Sequence, residues 1–232
     1  MDSPRQRLIV ALDVSSAAAA MKIVAAISPS NVMYKVGLQL YSAVGPSVVR
    51  DLVGAGHGVF LDLKFHDIPN TVAGASKEAA KLGAKMITLH ASGGGEMLRA
   101  GAEAAHAAHA DCKVLAVTVL TSLDGAALSQ VGVRGAVQDQ VLRLAALAVA
   151  EGCDGIVASV REAAMLRQQF GDRIIIVTPG IRPAGGDPAD QARVATPADA
   201  IQAGADYIVV GRPITAAENP GQAVRAILGE IA

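Results

Sequence analysis

The sequence predicts a (β/α)8 barrel of the TIM type, folded as a single domain over residues 1–232. Three observations predict it. Short β-rich runs recur along the chain, Ala-rich helical stretches separate them, and each strand-plus-helix unit takes about 30 residues. Strand alternating with helix implies parallel βα units. Eight such units point to a closed barrel rather than an open doubly wound sheet. The length suits one undivided barrel and is ample for a large core.

The runs, in order, cover residues 8–12, 32–36, 59–63, 86–89, 114–120, 155–158, 174–177 and 207–210. Helices are predicted over 15–27, 71–82, 96–108, 138–150, 162–170, 197–203 and 220–228. Asn70 and Thr71 offer capping side chains at one helix start. Thr196 does so at another, with Pro197 at its first helical position. Gly83 and Gly204 stop helices ahead of strands. Two connections are longer than a barrel needs. One spans 121–137 with Gly125, Gly132 and Gly135, and the other spans 179–195 with Gly180, Gly185 and Gly186. Long loops in a compact domain often carry function, and both fall on the C-terminal face of the strands, so they are read as lids over a site there.

A formal net charge of -1 and the lack of a Lys/Arg block argue against nucleic acid or an anionic membrane as partner. An anionic ligand would need a local positive site instead. Although 52% of residues are hydrophobic, no run approaches the roughly 18 needed to span a bilayer. The N-terminal apolar run breaks at Asp13, too early for a signal-peptide core. Cys112 and Cys153 stand far apart and form no C-x-x-C, so they read as small core residues in a reducing cytoplasm.

Candidate chemistry concentrates between Leu61 and Thr71. A strand points residues i and i+2 to one face, so Asp62 and Lys64 project side by side with Leu61 and Leu63 opposite. An acid and a base buried together are costly unless they pair or have a task. Asp67 lies past the strand, before Pro69. Other polar residues gather at strand ends, where barrels place catalytic groups. They are Asp13 after the first run, Lys35 in the second, His90 after the fourth, Thr121 and Ser122 after the fifth, Arg182 after the seventh and Arg212 after the eighth. Lys35 within an apolar strand calls for a partner. A structural ion network explains any one member, but explains the set of Asp13, Lys35, Asp62, Lys64 and Asp67 less well. The last two strand ends point to phosphate. Gly180 and Gly211 allow close backbone approach, helix N-termini favour anions, and Arg182 and Arg212 supply forked donors. His66 is out of phase with Asp62 and Lys64, so it is read as packed outside the barrel or behind the site. His90 is ambiguous and could line the floor. A metal site built from these histidines is not expected.

The segment Asp62-Leu63-Lys64-Phe65-His66-Asp67-Ile68-Pro69-Asn70-Thr71 closely resembles the catalytic signature of the orotidine 5'-phosphate decarboxylase family. Leu12-Asp13, Tyr34-Lys35-Val36-Gly37, Thr118 through Ser122, Thr178 through Arg182 and Val210 through Pro213 extend the resemblance over nearly the whole chain. It implies a TIM barrel that converts orotidine 5'-phosphate to uridine 5'-phosphate and CO2 without a cofactor or metal. It further implies that Lys64 is the proton donor and that Asp62 sits near the departing carboxylate. Asp13 and Lys35 would bind the ribose and hold the charge network. Thr121 and Ser122 would contact the pyrimidine, and Pro179, Arg182, Gln191, Gly211 and Arg212 would surround the phosphate. Gln191 is carried over on its distance after Arg182 alone. Asp67, Ile68 and Thr71 would reach into the site of a partner subunit, making a homodimer.

Two rivals differ in class. A superfamily relative acting on a keto-sugar phosphate with Mg2+ shares Asp-x-Lys-x-x-Asp but carries Glu where this chain has Lys35, a cation that repels a divalent metal. It also lacks the His-Asp-Ile-Pro-Asn-Thr continuation. A non-catalytic phosphate-binding barrel would have no reason to keep a buried Lys–Asp set.

Overall fold

The computed structural model describes residues 7–28, 30–183 and 195–232. Eight parallel strands close on themselves in sequence order. They are β1 (Leu8–Ala11), β2 (Met33–Gly37), β3 (Val59–Phe65), β4 (Met86–His90), β5 (Lys113–Val117), β6 (Gly155–Val157), β7 (Ile175–Thr178) and β8 (Tyr207–Val210). Closure comes from β1 pairing with β8 through Leu8↔Ile208, Ile9↔Val209 and Val10↔Val210.

Period-2 alternation divides the core into two layers. Ile9, Ala11, Phe60, Met86, Leu115, Val177 and Val209 fill the barrel interior. Their neighbours Leu8, Val10, Leu61, Ile87, Val114, Ala116, Ile176, Ile208 and Val210 face outward onto the helices. Those helices are α1 (Ala17–Ile27), α2 (Leu38–Val44), α3 (Ser47–Gly54), α4 (Pro69–Lys81), α5 (Gly95–Ala108), α6 (Gly125–Gln130), α7 (Val137–Ala150), α8 (Val160–Phe170), α9 (Pro197–Gln202), α10 (Arg212–Thr215) and α11 (Pro220–Glu230). In α1, Ala20, Val24 and Ile27 repeat at helical spacing and are buried, and the Ser16 hydroxyl caps the start by accepting from Ala19 N–H at 3.2 Å.

Four details depart from the sequence expectation. First, β5 ends at Val117 rather than Leu120, because both neighbours run out there. Val117 is the last residue paired with β4 (His90) and with β6 (Val157). Second, α4 begins at Pro69 with Ile68 as its cap, so neither Asn70 nor Thr71 caps it. Proline's fixed φ suits the first helical position, and Asp67 Oδ1 accepts the Ile68 N–H at 2.7 Å. Third, the β2–β3 connection holds α2 and α3, each too short for its periodicity to stand out; α3 nonetheless buries Val48, Val49 and Leu52. Fourth, the 121–137 connection contains α6, capped by Asp124 Oδ1 accepting from Ala127 N–H at 2.8 Å. In the other long connection, Ile181 bridges Ala195, with the Arg182 N–H donating to the Ala195 carbonyl at 3.0 Å.

Gly83 and Gly204 do end their helices, at φ 85° and 96°. Thr196 forms the expected cap, completed by Asp199 into a reciprocal box. A part-buried carboxylate ties strands together at their N-terminal ends. Asp154 accepts from Val114 N–H at 2.8 Å and from His106 at 2.8 Å and Lys113 at 3.1 Å. Burial alone would raise its pKa; the Val114 N–H, His106 and Lys113 outweigh burial and hold it below the ordinary value. Cys112 and Cys153 are free and buried, and burial pushes their thiols up to about 11 and about 12. No helix among the described residues is long and apolar enough to cross a membrane.

Candidate active site

The strand ends at the C-terminal mouth of the barrel surround a cavity of about 470 Å³. That is the size range of small-molecule sites. On one side Asp13, Lys35, Asp62 and Lys64 line it. They form an alternating chain of charge. Lys35 Nζ lies 2.8 Å from Asp13 Oδ1 and 3.8 Å from Asp62 Oδ2, and Lys64 Nζ lies 2.8 Å from Asp62 Oδ1. The inner pair, Lys35 and Asp62, keeps only 12% and 13% of its side-chain surface exposed, whereas Lys64 keeps 30% and Asp13 55%. The least exposed members are thus paired, as partial burial demands, while the terminal members open to the cavity.

The local backbone shapes this set. A side chain at Gly37 would put its Cβ 2.8 Å from Lys35 Nζ and 3.2 Å from Asp13 Oδ1, so glycine leaves room for the first ion pair. Lys64 has φ +51°, a left-handed conformation that few non-glycine residues adopt. Pairing of β3 with β4 slips there, from Leu61↔Ile87 to Phe65↔Leu89. The irregularity lies beside Thr88, a fully buried residue absent from the sequence expectations. The Lys64 N–H donates to Thr88 Oγ1 at 2.8 Å, and that hydroxyl donates to Asp62 Oδ1 at 3.1 Å. One cue was present in the sequence: Thr88 sits at i+2 from the inward Met86, two residues before the strand end.

The other walls come from later strands. Thr121 lines the cavity with Val117, Val119 and Leu120, and Pro179, Gly180 and Arg182 line it beside Gly211 and Arg212. The two successive arginine-bearing strand ends thus converge, as expected. Arg182 is 8% exposed. Thr215 of α10 joins this wall, a residue that no sequence pattern marks.

Several expected residues stand elsewhere. Ser122 is exposed and does not line the cavity, because the chain turns away at Thr121 once β5 has ended. Asp67, Ile68 and Thr71 are exposed outside their own chain's cavity, Ile68 at 67%. Gln191 lies outside the described residues. His66 stacks on His90, with ring centroids 5.1 Å apart and planes 15° from parallel, and His90 does not line the cavity floor. Burial, with His66 and Lys64 close by, lowers the His90 pKa. No group of three or more His, Cys, Asp or Glu among the described residues is arranged to hold a metal ion.

Comparison with known proteins places this geometry. The Orotidine 5'-phosphate decarboxylase / HUMPS family matches residues 6–227. The chain belongs to that family. It is 53% identical over 226 residues to the orotidine 5'-phosphate decarboxylase of Halorhodospira halophila, covering 97% of this chain and 96% of the relative. The enzyme of the same name from Nitrosococcus oceani is 50% identical over 229 residues, covering 98% of both. Among solved structures, orotidine 5'-phosphate decarboxylase from Lactobacillus acidophilus superposes with a TM-score of 0.88 at 40% identity, over 97% of this chain and 99% of that one. The family resemblance therefore extends from the motif to the whole barrel.

Proposed function

We propose that this chain decarboxylates orotidine 5'-phosphate to uridine 5'-phosphate and CO2, the last step of pyrimidine nucleotide synthesis, with one domain carrying the activity. The observation that carries the reading is the Asp13–Lys35–Asp62–Lys64 chain set in one cavity with Arg182 and Arg212. The phosphate would lie against Arg182, Gly211 and Arg212, with Pro179 beside it and Gln191 completing the group. The pyrimidine would lie near Thr121 and the ribose against Asp13 and Lys35.

The residue types suit the chemistry. Breaking the C6–carboxylate bond releases CO2 and leaves the electron pair on a vinylic carbon with no adjacent sink. The Lys64 ammonium stabilises that pair and then gives C6 its proton. Lys64 is part-exposed, so water can return the proton. Asp62, facing the substrate carboxylate, opposes it in the ground state and is relieved as CO2 leaves. Binding energy from the distal phosphate holds the arrangement. These steps call on side chains alone. Asp67, Ile68 and Thr71, exposed outside their own cavity, are offered to a second copy, so the working unit is a homodimer in a reducing cytoplasm.

Family membership alone leaves a second reading open, a metal-dependent reaction of a sugar phosphate. Lys35 argues against it, because its ammonium sits 2.8 Å and 3.8 Å from the carboxylates a divalent ion would use. The test is absorbance of orotidine 5'-phosphate with purified protein, with and without prior chelation. The orotate band is expected to decay to that of uridine 5'-phosphate in both samples. No decay would refute the reaction, and loss on chelation with recovery on Mg2+ would favour the second reading.

A further inference from the structure

We infer that Thr88 is a positioning residue for Lys64, its hydroxyl holding the left-handed backbone turn that aims the ammonium at Asp62. The inference rests on the decarboxylase reading for its kinetic consequence, but the geometry is independent of it. A threonine hydroxyl has one proton and two lone pairs. Here it accepts the Lys64 N–H at 2.8 Å and donates to Asp62 Oδ1 at 3.1 Å. The same carboxylate oxygen accepts from Lys64 Nζ at 2.8 Å. Main chain, hydroxyl, carboxylate and ammonium therefore close a ring that begins and ends on Lys64.

That ring explains a feature that strand pairing leaves open. Between Leu61 and Phe65 the β3–β4 ladder slips, and the N–H of Lys64 is bonded to a side chain of the next strand. A buried N–H without a partner costs about as much as a lost hydrogen bond. Thr88 supplies the partner from a side chain, in a site where it is itself fully buried. The left-handed φ of +51° at Lys64 is thus held by the neighbouring strand rather than by any preference of lysine. The β-branch of threonine limits χ1, so the hydroxyl is fixed before substrate arrives. Misplacing a catalytic group by about 1 Å can cost on the order of a hundredfold in rate.

The experiment compares wild type, Thr88→Val and Thr88→Ser. Valine keeps the shape and removes the hydroxyl; serine keeps the hydroxyl. With orotidine 5'-phosphate, Thr88→Val is expected to lower kcat on the order of a hundredfold while KM changes little, since phosphate and base contacts remain. Thr88→Ser is expected to recover most of that loss. A packing role alone would lower the melting temperature and leave kcat per folded molecule intact. Should the valine variant fail to fold, Thr88→Ala serves the same comparison. A crystal structure of the hydroxyl-free variant gives a readout that needs no turnover, with Lys64 expected to leave the positive-φ region. If wild type is inactive the decarboxylase reading fails, and that structure alone decides the inference. Unchanged kcat in an active enzyme, or Lys64 kept at positive φ without the hydroxyl, overturns it.

Discussion

Lys64→Ala separates catalysis from folding, because the structure gives the side chain a small share of stability while the proposed reaction gives it a large share of chemistry. Its ammonium pairs with Asp62 at 2.8 Å but is 30% exposed. Pairs of that exposure contribute about 0–1 kcal/mol. After truncation Asp62 keeps the Thr88 hydroxyl at 3.1 Å and Lys35 at 3.8 Å, so no buried charge is stranded. The left-handed backbone costs alanine about what it costs lysine, so strain is neither added nor relieved. Stability should therefore shift by about 1 kcal/mol or less. The rate should fall much further. Removing both the proton donor and the nearest positive charge raises the barrier by at least about 4 kcal/mol, roughly a thousandfold. Decay of the orotidine 5'-phosphate band under single-turnover conditions reads the chemistry, and a thermal melt reads the fold. A folded variant that keeps a tenth of the wild-type rate would remove Lys64 from the role assigned to it.

Three further outcomes are expected. Arg212→Ala should weaken use of the phosphorylated substrate by about 1.5–3 kcal/mol, the scale of a hydrogen bond to a charged group, and should matter far less for the unphosphorylated nucleoside; equal penalties in kcat/KM would show that Arg212 does not hold phosphate. Lys64→Ala and Asp67→Asn proteins, each nearly inactive, should regain towards about a quarter of wild-type activity when subunits exchange, since about half of the dimers are mixed and each mixed dimer has one intact site; exchange verified by mass spectrometry without recovery would return Asp67 to its own barrel. Asp154→Asn should destabilise the barrel by about 1–3 kcal/mol in urea unfolding at pH 7. Because the folded pKa of Asp154 is depressed, its contribution is present above the unfolded value of about 3.9 and lost as pH falls through the folded one, so the gap to wild type should close in acid and not in base.

Much of this fold is legible in the sequence because a barrel repeats its own instructions. Each strand is a short apolar run, and parallel strands buried on both faces need no polar alternation to reveal them. Where two neighbours decide a boundary, local pattern fails. Val119 and Leu120 extend an apolar run, yet β5 stops at Val117 because β4 and β6 offer no further partner. Short helices fail for a related reason: α2 and α3 have too few turns to show a period, and tertiary packing of residues such as Val49 and Leu52 stabilises what propensity would not.

The site divides along the same line. Asp62 and Lys64 were readable as one face because strand geometry alone puts i and i+2 together, and Lys35 was readable because a lone cation in an apolar strand requires a partner. Ser122 was not, because its placement depends on where β5 ends. Neither was the contribution of Thr88, since it arises from a slip between two strands that no single-strand period encodes. A regular ladder would have given Lys64 an ordinary extended backbone. The observed backbone departs from that regularity at the one residue proposed to donate the proton, and a buried hydroxyl on the next strand accepts its N–H. Strain at a functional residue persists only where surrounding contacts over-determine it. The paired carboxylate, the ammonium and the threonine supply those contacts here, so the irregularity is better understood as the means of aiming Lys64 than as a flaw in the sheet.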